Sequence, residues 1–135
     1  MRRDFVKIWL IAANNDLKYA RASLEELDSR FIYPFICFHS QQAAEKALKA
    51  FLLSRNLQAP KTHSLVDLLK LAAIHSGNLQ NLGKNCEILD RYYVPTRYPD
   101  AILESKVSQI FGHFEAEEAL KLASKIVKTI SKVLQ

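Results

Sequence analysis

The chain has 135 residues, a formal net charge of +5 and an isoelectric point near 9.3; 49% of its residues are hydrophobic. That apolar content excludes a disordered chain, and the length supports one core without metal or disulfide staples. With only 3 Gly and 4 Pro, long helices are expected rather than many short strands. No apolar run reaches the roughly 18 residues of a membrane span, and the Met1–Phe5 start lacks the pattern of a secretory signal, so a cytoplasmic protein of one domain, 1–135, is expected.

The first helix is predicted from about Asp4, its N-cap, to Leu27, with Phe5, Trp9, Ala12, Ala13, Asp16, Ala20, Leu24 and Leu27 recurring along one stripe. Asp16 interrupts that stripe with a carboxylate, which needs a partner on a neighbouring helix. The second helix is predicted from about Tyr33 to Arg55, with Pro34 in its first turn. Its buried stripe is Cys37, Gln41, Ala44, Ala47, Leu48, Phe51 and Leu52. Another face carries His39, Gln42, Lys46 and Lys49, and Glu45 precedes Lys49 in the favourable order for a helix ion pair.

Asn56 to Thr62 breaks the pattern. Ser64 then caps a third helix with Asp67 as reciprocal partner, and that helix stops near Ser76–Asn78. A fourth is expected over about Leu79–Val94, with Leu82, Cys86, Leu89 and Tyr93 inward, ended by Pro95. The Pro-Thr-Arg-Tyr-Pro-Asp stretch from Pro95 to Asp100 reads as a braced loop holding Arg97 and Asp100. The last helix has a secure start near Phe114 and ends near Leu134, with Phe114, Ala119, Ala123, Ile126, Val127, Ile130 and Leu134 apolar. The pattern is an all-α, up-and-down bundle of about five helices. The first and last helices carry enough apolar surface for a dimer interface.

Cys37 and Cys86 belong to no CxxC pair and are expected as buried thiols. The four histidines, His39, His63, His75 and His113, lack ligand spacing, so no metal is expected. No phosphate-cradling glycine motif is present and no cofactor is expected. The positive charge is modest and spread along the chain, which suits an anionic partner without specifying nucleic acid.

Five blocks, in order, resemble the HEPN domain family (higher-eukaryote and prokaryote nucleotide-binding domains): W-L-I-A-A-N-N-D-L-K-Y from Trp9, F-H-S-Q-Q-A-A-E-K-A-L-K-A-F-L from Phe38, T-H-S-L-V-D-L-L from Thr62, Y-Y-V-P-T-R-Y-P-D from Tyr92, and F-E-A-E-E-A-L-K-L-A from Phe114. The resemblance covers essentially the whole chain. It implies a helical homodimer, a minimal nucleotidyltransferase as protein partner, and a toxin–antitoxin-like pairing. Many members of that family cleave RNA without metal, using an Arg followed after four to six residues by a His. None of the seven arginines here has that spacing, Arg55 lying eight before His63. The chain matches the branch with Arg-Tyr-Pro-Asp in the corresponding place, so no catalytic residue is assigned.

The ligand-binding candidates are Arg97, Asp100, Lys46, Gln42, His39, His63 and Tyr98. A guanidinium fits phosphate bidentately; Lys46 supplies charge, Gln42 an amide and His39 a titratable ring on one face. His63 lies beside a helix N-terminus, where an anion is welcome, and Tyr98 offers a stacking ring. The leading expectation is a nucleotide- or RNA-associated binding module, with no membrane association and no DNA sequence recognition. An RNA-cleaving toxin with an altered site and a purely structural subunit are the alternatives.

Overall fold

A computed structural model describes residues 2–26, 32–93 and 111–135. Arg97, Tyr98 and Asp100, together with Leu27 and the expected Pro95–Asp100 loop, lie outside the described residues. Among the described residues there are five α-helices: α1 (Arg2–Glu26), α2 (Ile32–Ser54), α3 (Leu65–His75), α4 (Gly83–Asp90) and α5 (His113–Val133). A 3₁₀ segment, Gly77–Leu82, runs into α4. The described residues include no strand, and none of their helices is long and apolar enough to cross a membrane.

The long helices α1, α2 and α5 pack on one another, and α3 and α4 form a pair set against α2. α2 is the central element. Its buried set wraps most of its circumference, from Pro34, Ile36 and Cys37 through Ala43, Ala44, Ala47 and Leu48 to Phe51 and Leu52. The small residues Ala43, Ala44, Ala47 and Ala50, all fully buried, let neighbouring helices come close. The chain leaves α2 through Asn56, whose φ of 64° is the left-handed conformation that asparagine tolerates. Asn56 N donates to Leu53 O and Leu57 N to Leu52 O, the reciprocal pair that closes a helix C-terminus.

Three of the expected helices differ in detail. α1 begins before Asp4, which lies in its first turn and is not the N-cap. The residues α1 buries are Ala13, Leu17 and Ala20, whereas Phe5 is 51% exposed. The true stripe runs through Leu10, Ala13, Leu17, Ala20 and Leu24, so that Phe5 falls on the outer side. The expected fourth helix is divided into the 3₁₀ segment and a short α4. It closes in a tight turn, with Arg91 N bonded to Ile88 O and Tyr92 N to Leu89 O. That tightening brings Tyr92, not Tyr93, into the core, edge-on to Phe111 with centroids 5.4 Å apart. α5 starts at His113, with Glu115 accepting from Gly112 N at 2.9 Å. Phe114, expected on its apolar face, is exposed; the core contacts begin at Ala116.

Cys37 and Cys86 are buried, unpaired thiols, and burial is the main cause that pushes both up to about 12.

Candidate functional site

The polar centre of the molecule lies where α2 faces the segment leading into α3. Glu45 is only 5% exposed, although carboxylates are rarely buried unless paired. Here it is paired twice. Its Oε2 receives Lys49 Nζ at 3.0 Å, the expected i,i+4 pair, and its Oε1 meets His63 Nδ1 at 3.0 Å. Gln42 Nε2 sits at 3.5 Å from the same Oε1 and donates to Gln41 Oε1 at 2.9 Å.

His63 is fixed from both sides. The buried Gln41 donates its Nε2 to the His63 carbonyl at 2.8 Å. Immediately beyond, Asp90 from the end of α4 accepts from Leu65 N at 2.8 Å and Val66 N at 3.1 Å, and from Ser64 Oγ at 3.4 Å. Ser64 Oγ in turn accepts from Asp67 N, the cap read from sequence. The first amides of α3 are therefore taken up by Asp90, and the anion that this helix start favours is supplied by the protein itself.

Aromatic rings extend the cluster. The His63 imidazole stacks on Tyr93, with centroids 4.7 Å apart and planes 18° apart. Tyr93 meets Phe38 at 6.0 Å; Phe38 meets His39 edge-on at 5.4 Å; His39 lies 4.1 Å from Phe35. A continuous run of five rings thus links the two histidines along α2, ending at the exposed Phe35. Burial is the largest influence on His39 and lowers it below its ordinary value of 6.5; Asp16 acts in the opposite sense and Lys46 reinforces the lowering.

The anticipated partner of Asp16 is Lys46, whose Nζ lies 2.8 Å from Oδ2 across the α1–α2 contact. The structure accordingly gathers His39, Gln42 and His63 around one aromatic and polar surface, while the Lys46 charge is directed at Asp16. Glu45 and Lys49 were visible in the sequence as a helix pair, but the role of Glu45 in orienting His63 was not. Its signal was a glutamate flanked on α2 by buried alanines at 43, 44 and 47. Tyr93 was read as core and is instead the stacking partner of His63. Among the described residues no three His, Cys, Asp or Glu side chains are grouped to hold a metal ion.

The geometry is that of an all-helical protein with a histidine oriented by a carboxylate at the end of an aromatic platform. The HEPN domain pattern matches residues 6–133, and the chain belongs to the HEPN domain family. It is similar to the protein named "Putative toxin MJ1304" of Methanocaldococcus jannaschii, with 27% identity over 139 residues, covering 97% of this chain and 89% of that protein. It also resembles the crystal structure of TT1696 from Thermus thermophilus, at 39% identity and a TM-score of 0.80, with 98% of each chain covered. A second solved structure, ST0689, an archaeal HEPN homologue, gives 28% identity and a TM-score of 0.75, covering 96% of this chain and 98% of that one.

Proposed function

We propose that this chain is a toxin-like HEPN module that binds a nucleotide unit of RNA at the Glu45–His63–Tyr93 cluster. It acts in the cytoplasm as a homodimer paired with a nucleotidyltransferase protein. The observation that carries the ligand half is the oriented imidazole. Glu45 engages Nδ1, no described residue engages Nε2, and the side chain is 51% exposed. Nε2 is thus available to a ligand hydroxyl or phosphate, and the ring run ending at Phe35 offers a face for a base. Arg97, Tyr98 and Asp100 are retained as candidate ligand contacts on the sequence alone.

The homodimer is supported by Phe5, Ile8 and Ile11, exposed at successive turns of α1, and by the family resemblance. Light scattering after gel filtration tests it, and a monomer at near-millimolar protein would contradict it. The nucleotidyltransferase partner rests on the resemblance and on the similarity to a protein named as a toxin; co-purification with the product of an adjacent gene tests it.

Isothermal titration with the four ribonucleoside monophosphates and a short RNA oligonucleotide tests the ligand half. Wild type is expected to bind, and His63→Ala and Arg97→Ala to weaken binding. Silence from wild type at millimolar ligand refutes the reading.

A second reading, RNA cleavage, is favoured by the same Glu45–His63 contact. In the tautomer that donates Nδ1–H to Glu45, Nε2 is left as a proton acceptor, the arrangement a general base requires. Cleavage of end-labelled RNA that disappears in His63→Ala and Glu45→Gln supports this second reading; cleavage indifferent to both substitutions removes it.

A further inference from the structure

We propose that the groove between α1 and α5 is a second ligand surface, fitted to the phosphate backbone of a single-stranded nucleic acid. It shares no residue with the Glu45–His63 cluster and does not depend on that cluster binding anything. Arg21 on α1 faces Lys121, Lys125 and Lys128 on α5 across an open groove of about 580 Å3. Lys18 lines an adjoining groove of about 450 Å3 with Arg21 and Lys128. Five cations thus border the two grooves against two carboxylates, Glu25 and Glu117.

Among the described residues none of these cations is in an ion pair, in contrast to Lys46 and Lys49. Arg21 is held in place by a neutral partner, its guanidinium donating to Ser124 Oγ at 3.1 Å. Its charge is therefore positioned but not neutralised. The α5 lysines recur at 121, 125, 128 and 132, one exposed stripe. From the first to the last of these lysines the helix rises about 16 Å, the length of about five stacked nucleotides.

Complementing the helix dipole accounts for lysines in the last turn only. Lys121 and Lys125 lie in the middle of α5 and need another reason. The groove also lacks what a protein partner or a lipid surface requires. Its aliphatic lining is Leu24 and Leu120 in the larger groove and Leu17, Ala22 and Val127 in the adjoining one, with no aromatic anchor in either, and most of the apolar residues of α5 between the lysines are buried in the core. Cations spaced along a channel without base-reading groups match a backbone.

The test is fluorescence anisotropy of a labelled mixed-sequence RNA of about 12 nucleotides, long enough to span the stripe, titrated from low to physiological salt and above. The variants are Lys121→Gln/Lys125→Gln/Lys128→Gln, the corresponding Glu triple, and His63→Ala. Because all three lysines are exposed, circular dichroism is expected to be unchanged. The Gln triple should bind about tenfold or more weakly at low salt, the Glu triple more weakly still. The log–log salt slope should fall by about 2, close to 0.7 per lost phosphate contact. His63→Ala removes no cation of the groove, so adding the Gln triple to it should lower its slope by the same amount as in wild type. Equal binding of a DNA strand of the same sequence supports backbone recognition, and RNA-only binding overturns it. A Gln triple with wild-type affinity and slope, or no binding by wild type at low salt, overturns the groove. Mononucleotide titration at His63 reads the other site and can succeed or fail separately.

Discussion

Glu45 Oε1 lies 3.0 Å from His63 Nδ1, joining a buried carboxylate on α2 to a half-exposed imidazole 18 residues later. This contact sets the direction of the ring, and Tyr93 fixes its plane. Glu45→Gln retains the shape but replaces one carboxylate oxygen by an amide. It should weaken ligand binding by about tenfold while leaving the helical spectrum intact. Glu45→Ala should also destabilise the fold by about 2–3 kcal/mol, since Lys49 and His63 lose their buried acceptor. Denaturant unfolding and titration separate the two effects; equal affinity in Glu45→Gln would remove the carboxylate from the site.

Asp90 supplies an acceptor for two amides and one hydroxyl at the start of α3. Asp90→Ala should cost about 2–3 kcal/mol, the scale of a lost charged cap with its amides left unpaired. Hydrogen exchange at Leu65 and Val66 should accelerate before global unfolding does. Unchanged exchange there would show that Asp90 does not hold those two amides.

Lys46 and Asp16 form a partly covered pair, with side-chain exposures of 29% and 15%. Lys46→Met leaves the Asp16 carboxylate without its cation and should cost about 1–3 kcal/mol. Adding Asp16→Asn should restore much of the loss, a coupling that a double-mutant cycle measures. Strict additivity of the two single changes would mean that the pair contributes nothing.

His39 is lowered below its ordinary value, chiefly by burial beside Phe35 and Phe38. The unfolded chain therefore takes up this proton at a higher pH than the folded one. Stability from this group is complete above 6.5 and is lost as pH falls from there toward the folded value. Thermal unfolding followed from about pH 7.5 down to about pH 5 should show a Tm that rises with pH, and His39→Gln should flatten that rise. A slope unaltered by the substitution would assign it to other groups.

Much of the fold was legible because α2 and α5 bury regular sets at three- and four-residue spacing. What periodicity could not decide was which of two adjacent stripes faces inward. On α1, Phe5 and Trp9 suggested one register, yet the close contact with α2 is made by Ala13, Leu17 and Ala20. Small side chains win there because they allow the backbones to approach. The swap of Tyr92 for Tyr93 has a similar origin: the tight turn after Asp90 advances the inward position by one residue. For the site, His63 was recognised by its place before a helix, but its partner is a long-range one, and spacing within a single helix cannot report a contact between helices. The α1–α5 groove was hidden for the same reason, since its cations are modest in number on each helix and concentrate only on packing.

The most direct measurement is the shift of the His63 imidazole resonances in a nitrogen-resolved spectrum as a ribonucleoside monophosphate is added. The account predicts that Nε2 moves progressively and saturably, with Nδ1 altered less because Glu45 already engages it. Nucleotide binding that leaves both His63 nitrogens unmoved would contradict it.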